Sequence, residues 1–353
     1  MRAKKILLEA ASIINLFILL IFFPFNSMAE DHNMKYFSQD LGTLVLMYHR
    51  FNEPKYPTTN IQMDIFKNQI KNIKNEDIKF LDPKNFDSKF DTPKQNKKIL
   101  ITIDDGFSSF YKYAWPFLKK NEIPFILFIS TEAVGKKGYM NWQQIKEIEK
   151  QSFVYIGNHS HSHDYLVDMD KNEFFNDIDT SIKTFKRKLG YNPIFFSYPF
   201  GEYNEYIKNY IKKKFKYSFG QHSGVIDINK NKFELPRFPI NEKYGDIKRF
   251  NFLIKLHPLQ YKKMLPEEKY LDKKNNPPNF SVEFFKSQRN LNRINCFSNE
   301  NNIWKKSITS LNNNVLKISF RDKFLFRRGR VNCSLNDDGI WRWVGFQFTI
   351  KKN

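Results

Sequence analysis

The chain has 353 residues, of which 41% are hydrophobic, 27% charged and 17% aromatic. That composition excludes an intrinsically disordered protein, and the length suits one large domain with something smaller attached. The formal net charge is +21. A basic exported protein can favour an anionic surface or polymer. Here the basic residues are spread along the whole chain, and no basic stripe carries base-stacking aromatics, so compositional bias is the simpler reading and nucleic acid is not an expected partner.

In chain order, Arg2, Lys4 and Lys5 give a positive start, and Ile13 to Phe25 is apolar apart from Asn15 and Pro24. Ser27-Met28-Ala29 then offers small residues where a signal peptidase reads. Residues 1–29 are therefore expected to be a signal peptide, with an uncleaved N-terminal anchor as the alternative, since Glu9 makes the signal less clean. Either places the rest of the chain outside the cytoplasm, periplasmic or extracellular. Cys296 and Cys333 are the two cysteines. In an oxidising compartment they can form a disulfide, or they can be two buried thiols.

From Leu44 to about Gly220, strand and helix patterns alternate. Apolar runs at 44–48, 99–103, 124–129, 153–156, 194–198 and 217–219 read as buried strands. Between them, Phe66, Ile70 and Ile73, then Tyr113 and Phe117, then Ile145 and Ile148 follow helical spacing. Phe174, Ile178, Ile182, Phe185 and Leu189 form the clearest amphipathic helix, closed by Gly190. Tyr206 to Phe215 reads as a further helix. Repeated strand–helix units imply parallel strands with helices outside them, an α/β fold that suits a barrel, closed or partly open. The pattern breaks after about Tyr261. Pro266 and Asn275-Asn276-Pro277-Pro278-Asn279 read as a linker, 263–280. Residues 281–353 read as a small antiparallel β unit, with Asn336-Asp337-Asp338-Gly339 as a hairpin turn. Its Trp304, Trp341 and Trp343 suit a core or docking face, or a sugar-binding face.

Four polar clusters stand where buried strands end: Tyr48-His49-Arg50, Asp104-Asp105-Gly106, His159 to Asp164, and Ser197 to Gly201. In parallel α/β folds the site is built at the carboxyl ends of the strands, so these clusters should meet in space. Two adjacent carboxylates are costly unless a cation is present, whereas a turn with a helix cap explains only one of them. A carboxylate and two histidines make a three-ligand set for a catalytic zinc. Three of the seven histidines, His159, His161 and His163, fall within five residues. Spacing alone does not say which pair binds.

Thr102-Ile103-Asp104-Asp105-Gly106, His159-Ser160-His161-Ser162-His163 and Tyr198-Pro199-Phe200-Gly201 resemble the three motifs of the polysaccharide deacetylases of carbohydrate esterase family 4, the NodB-homology domain. The resemblance implies such a domain over 40–262 and a distorted (β/α) barrel. It implies metal-dependent removal of N-acetyl groups from an amino-sugar polysaccharide, with zinc or another divalent transition metal held by Asp105, His159 and His163. Asp104 is then the general base, and the segment Tyr198, Pro199, Phe200 and Gly201 meets substrate, with the Phe200 N–H on the oxyanion. The Arg that often opens the third motif is replaced by Ser197, and Arg237 is expected to pair with Asp104 instead. That departure resembles the poly-β-1,6-N-acetylglucosamine deacetylase branch, where a Tyr-His supplies the acid; His49 is favoured on this ground over His257 and His222. His257 falls in a segment, Arg249 to Leu259, that reads as a helix. A catalytically silent sugar-binding surface protein on the same fold and an O-acetyl esterase are the competing functions. No stable protein partner is implied.

Overall fold

The computed structural model describes residues 40–90 and 96–351. The expected signal peptide, 1–29, lies outside the described residues.

Six parallel strands form one sheet in sequence order: β1 (Thr43–Tyr48), β2 (Lys98–Ile103), β3 (Phe125–Ile129), β4 (Val154–Asn158), β5 (Phe195–Ser197) and β6 (Tyr217–Phe219). A seventh, β7 (Phe238–Pro239), pairs in parallel with β1. The chain leading into β7 closes the curl. Leu235 bonds to Ser218 and Gly220 at β6, and Ile240 bonds to Met47 of β1. The sheet is thus a distorted barrel of parallel strands, as expected.

The strands read as unbroken apolar runs because both faces are covered. Val45, Leu100, Ile126 and Phe128 fill the barrel interior with Phe195, Tyr217 and Phe219. Leu44, Leu46, Ile99, Ile101 and Phe125 face outward against helices α1 (Met63–Asn75), α2 (Trp115–Lys120) and α3 (Trp142–Glu149). Helix α4 (Lys171–Leu189) is bounded by local chemistry. Asp170 and Glu173 form a capping box at its start, and Gly190 ends it at φ 88°. Helix α5 (Glu205–Lys214) is capped by Asn204, and α6 (Ile247–Leu253) by Asp246.

The C-terminal part is an antiparallel β-sandwich. One sheet contains β8 (Tyr261–Leu265), β9 (Phe280–Phe284), β11 (Ile308–Asn312) and β12 (Val315–Ser319). The other is built on β10 (Asn295–Ser298), β13 (Arg328–Asp337) and β14 (Ile340–Ile350). Phe280, Val282, Leu316 and Ile318 pack against Val331, Leu335, Phe346 and Phe348 between the sheets. Cys296 and Cys333, opposite each other on β10 and β13, are joined as a disulfide.

Two differences from the sequence reading have simple causes. The segment 263–280 is not one loop: β8 reaches Leu265, Tyr270–Leu271 pairs with β14, and the loop portion is 272–279. Lysines at 262 and 263 and the proline after Leu265 disguise β8, but both are ordinary on an edge strand. Helix α6 stops at Leu253, so His257 lies not on a helix but on a two-residue strand beside Arg342 and Trp343 of β14.

Candidate active site

The carboxyl ends of β2 and β4 deliver the charged residues. Asp104 and Asp105 follow β2, and His159 begins the loop after β4. Asp105 Oδ1 lies 3.3 Å from His159 Nε2 and 3.1 Å from His163 Nε2. One donor atom from each of the three residues falls within a 4.8 Å cluster. Yet Asp105 Oδ1 and His159 Nε2, both buried, have no hydrogen-bond partner. Three lone-pair-bearing atoms that converge without bonding one another fit a divalent cation at their common focus, with room left for a water.

The supports of these groups are specific. His159 Nδ1 is 2.7 Å from the Ser197 carbonyl oxygen, so Nδ1 carries the proton and Nε2 keeps its lone pair. Both oxygens of Asp177 accept the amides of His161 and Ser162, each at 2.8 Å. The Ser160 hydroxyl accepts the His163 amide at 2.9 Å. His161 turns away and meets Thr131 Oγ1 at 2.8 Å, outside the cluster. Asp105, His163 and Phe200 all hold left-handed backbone, at φ 73°, 62° and 59°. Such conformations cost about 1–3 kcal/mol each and persist where the surroundings enforce them.

Asp104 is fully buried and held by Arg237, also fully buried. The guanidinium donates from Nη1 to Oδ1 at 2.7 Å and from Nη2 to Oδ2 at 2.8 Å, a bidentate pair. Arg237 is itself fixed by the Gly220 carbonyl and by the hydroxyls of Ser197 and Thr102. Burial alone pushes the Asp104 carboxyl up, but Arg237 and His159 outweigh it and hold it below the usual carboxylate range. Asp105 is likewise raised by burial and brought well below that range by His159 and His163.

A model of the polysaccharide deacetylase family matches residues 91–218. That stretch of the chain is similar to a polysaccharide deacetylase domain. A poly-β-1,6-N-acetyl-D-glucosamine N-deacetylase of Staphylococcus aureus is 26% identical over 245 residues, spanning 60% of this chain and 83% of the relative. Among solved structures, IcaB from Ammonifex degensii aligns at TM-score 0.54 and 22% identity, over 61% of this chain and 98% of that one. The Streptococcus pyogenes deacetylase PplD, in complex with acetate, aligns at TM-score 0.53 and 23% identity, over 58% and 95%. These structures share the fold of the deacetylase domain.

The remaining expected residues divide by position. A cavity of about 620 Å³ opens above Asp105 and His163, and His49, His222 and Phe200 line it. His257 does not; it sits beside Lys97 and Arg342, and burial first, then those two cations, bring its ring down to about 4. Burial and Lys269 bring His222 down to about 3, which keeps it neutral. His49 is also lowered by burial, but Asp105 and Asp104 oppose that shift, so outside the Asp105, His159 and His163 cluster it is better able than His222 to carry a proton. In the third motif only Phe200 lines the cavity, its ring stacked on Tyr165 at 4.2 Å. Tyr198, Pro199 and Gly201 are buried beneath it. The Tyr198 hydroxyl donates to the Phe233 carbonyl. Gly201 has φ 68°, and a Cβ there would sit 2.5 Å from Gln221.

The far wall of the cavity is supplied by the C-terminal sandwich. Trp304, Arg328, Arg330, Asn332 and Trp343 line it, joined by Arg249 of α6. On β13 the odd residues Gly329, Val331 and Cys333 are buried, so Arg328, Arg330 and Asn332 share the opposite, cavity-facing side. Trp341 lies outside the cavity, edge-on to Phe252. The reading of the motifs did not find this wall, because alternating polar residues on a strand look the same whether they face solvent or a cleft.

Proposed function

We propose that this chain is an exported, metal-dependent N-deacetylase of an amino-sugar polysaccharide, with poly-β-1,6-linked N-acetylglucosamine as the first polymer to try. The observation that carries the reading is the convergence of Asp105, His159 and His163, with Asp105 Oδ1 and His159 Nε2 buried and unbonded, beside a carboxylate clamped by Arg237. Zinc or another divalent transition metal suits two imidazoles and one carboxylate, and when bound it supplies the Lewis acidity that acidifies a water and polarises a carbonyl.

Asp104 accepts the proton of the attacking water. Arg237 keeps that carboxylate ionised and aimed. The backbone N–H of Phe200 donates to the oxyanion that forms as water oxygen adds to the acetamide carbon. His49 then protonates the sugar nitrogen as the C–N bond breaks, since an amide anion does not leave, and acetate and a free amine result. The similarity to the Staphylococcus aureus enzyme supports the polymer class, and the signal-like N-terminus supports export. No helix among the described residues is long and apolar enough to cross a membrane.

The test is acetate release from β-1,6- and β-1,4-linked N-acetylglucosamine oligomers, peptidoglycan and acetylated xylan, before and after chelation. Release from an N-acetylated polymer that stops on chelation and returns with zinc is expected. Release from xylan alone makes the chain an O-acetyl esterase, and no release from any polymer by metal-loaded protein overturns the enzymatic reading.

A further inference from the structure

We infer that the sandwich wall of the cavity is an anion-binding subsite, so that the polymer carries an acidic group, a carboxylate or a phosphate, near the acetylated sugar. This rests on the deacetylase reading above for its substrate and on separate residues for its charge.

Three guanidiniums, those of Arg249, Arg328 and Arg330, line one cavity with the metal-ligating residues. Only one carboxylate, Asp105, is among the lining residues, and it belongs to the metal cluster at the opposite end. Asp104 is already neutralised by Arg237. Among the described residues, no carboxylate lies within ion-pair distance of Arg330 or Arg249. Each is held by neutral acceptors instead: Arg330 Nε donates to Gln347 Oε1 at 3.1 Å, and Arg249 Nη1 donates to the Tyr244 carbonyl. Arg328 has Glu202 at 3.8 Å, but Arg327 takes that carboxylate at 2.7 Å.

Arg249, Arg328 and Arg330 are half-buried, and a cation drawn partly out of water without a countercharge is costly. Burial lowers both Arg249 and Arg330 from the ordinary guanidinium range, the mark of cations drawn out of water without enough compensation. The missing countercharge is supplied by what enters the cavity. Arg328 and Arg330 are two residues apart on one strand face, so their planar forks address the same ligand, and a guanidinium suits carboxylate or phosphate in a bidentate grip. Trp304 and Trp343 line the same cavity and offer flat faces for sugar rings. A divalent cation held by Asp105, His159 and His163 would add to the positive field. A neutral polymer leaves all of this charge unanswered, and the amine formed by deacetylation is repelled by it.

The experiment compares three oligosaccharides on one backbone: the neutral β-1,6-linked N-acetylglucosamine hexamer, its carboxymethylated derivative and its phosphorylated derivative. Binding to the metal-loaded full chain is measured by calorimetry at low and high salt. At least one charged derivative is expected to bind about tenfold or more tightly than the neutral hexamer, with the advantage shrinking as salt rises. Which derivative gains more identifies the acid. In Arg330→Gln, and separately in Arg328→Gln, the ratio of charged to neutral affinity should fall toward one. Equal affinity for all three hexamers overturns the subsite, and so does an advantage that survives in both variants. Binding needs no turnover. Arginine-dependent anion binding without acetate release would leave the subsite standing while the deacetylase reading fell.

Discussion

The barrel strands and the sandwich strands carry polar chemistry in opposite ways. Strand β1 is buried at all six positions, and β2 at five of six. Such strands can present reactive groups only where they end, which is why the acidic pair, the histidine run and His49 all stand at strand termini. Strand β13 alternates buried and half-buried residues along its whole length. It can therefore offer side chains from its middle, and Arg328, Arg330 and Asn332 do so. A site assembled from strand ends gathers a few precise groups around one point. A wall made from a strand face gives a broad patch, suited to gripping a polymer. The two ends of this cavity come from these two kinds of strand.

That contrast breaks most decisively at Asp104. Asp104→Asn should lower deacetylation about 10²–10⁴-fold while metal content, measured by elemental analysis, stays full. Near-normal turnover would remove Asp104 as the base. Next in size is His49→Ala, expected to slow an amide substrate about a hundredfold or more and to spare an activated ester, whose leaving group needs no proton. The acid works in its protonated form, so the rate falls as pH rises through the His49 pKa. Burial places that pKa below the ordinary histidine value, and the fall should disappear in the variant. If His257→Ala shows this behaviour instead, strand-end placement does not select the acid.

His163→Ala should weaken metal affinity about tenfold or more, read by competition with a chelating dye. Unchanged affinity would displace His163 from the ligand set. The smallest effect concerns the joint between the two regions. Glu234, on the barrel side, accepts from Lys269 at 2.7 Å and lies 3.4 Å from Lys208. Burial pushes this carboxyl up, but the two lysines bring it down to about 2. A depressed carboxylate stabilises the fold above its unfolded pKa of about 4.5 and loses that contribution as pH falls toward 2. Thermal unfolding should therefore drop between about pH 5 and 2, by on the order of 2 kcal/mol, and Glu234→Gln should flatten that dependence. An equally steep curve in the variant would place the acid sensitivity elsewhere.

The sequence disclosed the barrel because its rules are local. Apolar runs mark strands buried on two faces, the spacing from Phe174 to Leu189 marks a helix, and Gly190 marks its end. The grouping of Asp104, Asp105, His159 and His163 followed from strand ends meeting in a parallel fold. The place of Arg237 could be anticipated only because Ser197 stands where the family pattern has an arginine. The sandwich was less legible. Short edge strands such as Tyr261–Leu265 are defined by their partners rather than by their own residues. The supports at Asp177 and Ser160 were missed because a polar residue on a helix or in a loop gives no sign of the amide it will receive. His257 was read onto a helix because nothing at Leu253 announces its end.

One contact ties the two regions at a telling place. Glu202, two residues after Phe200, is fully buried, and its countercharge is Arg327 of the C-terminal part. The same guanidinium reaches Asp168, in the turn that follows the histidine loop. A single tail arginine thus clasps the segments behind two of the three motifs. Exchanging the tail for that of another protein would take away the countercharge of Glu202, at a cost of several kcal/mol if the new tail still buries that carboxylate. A chimera that keeps this barrel needs an arginine delivered to the same spot, whatever else its new tail is built to recognise.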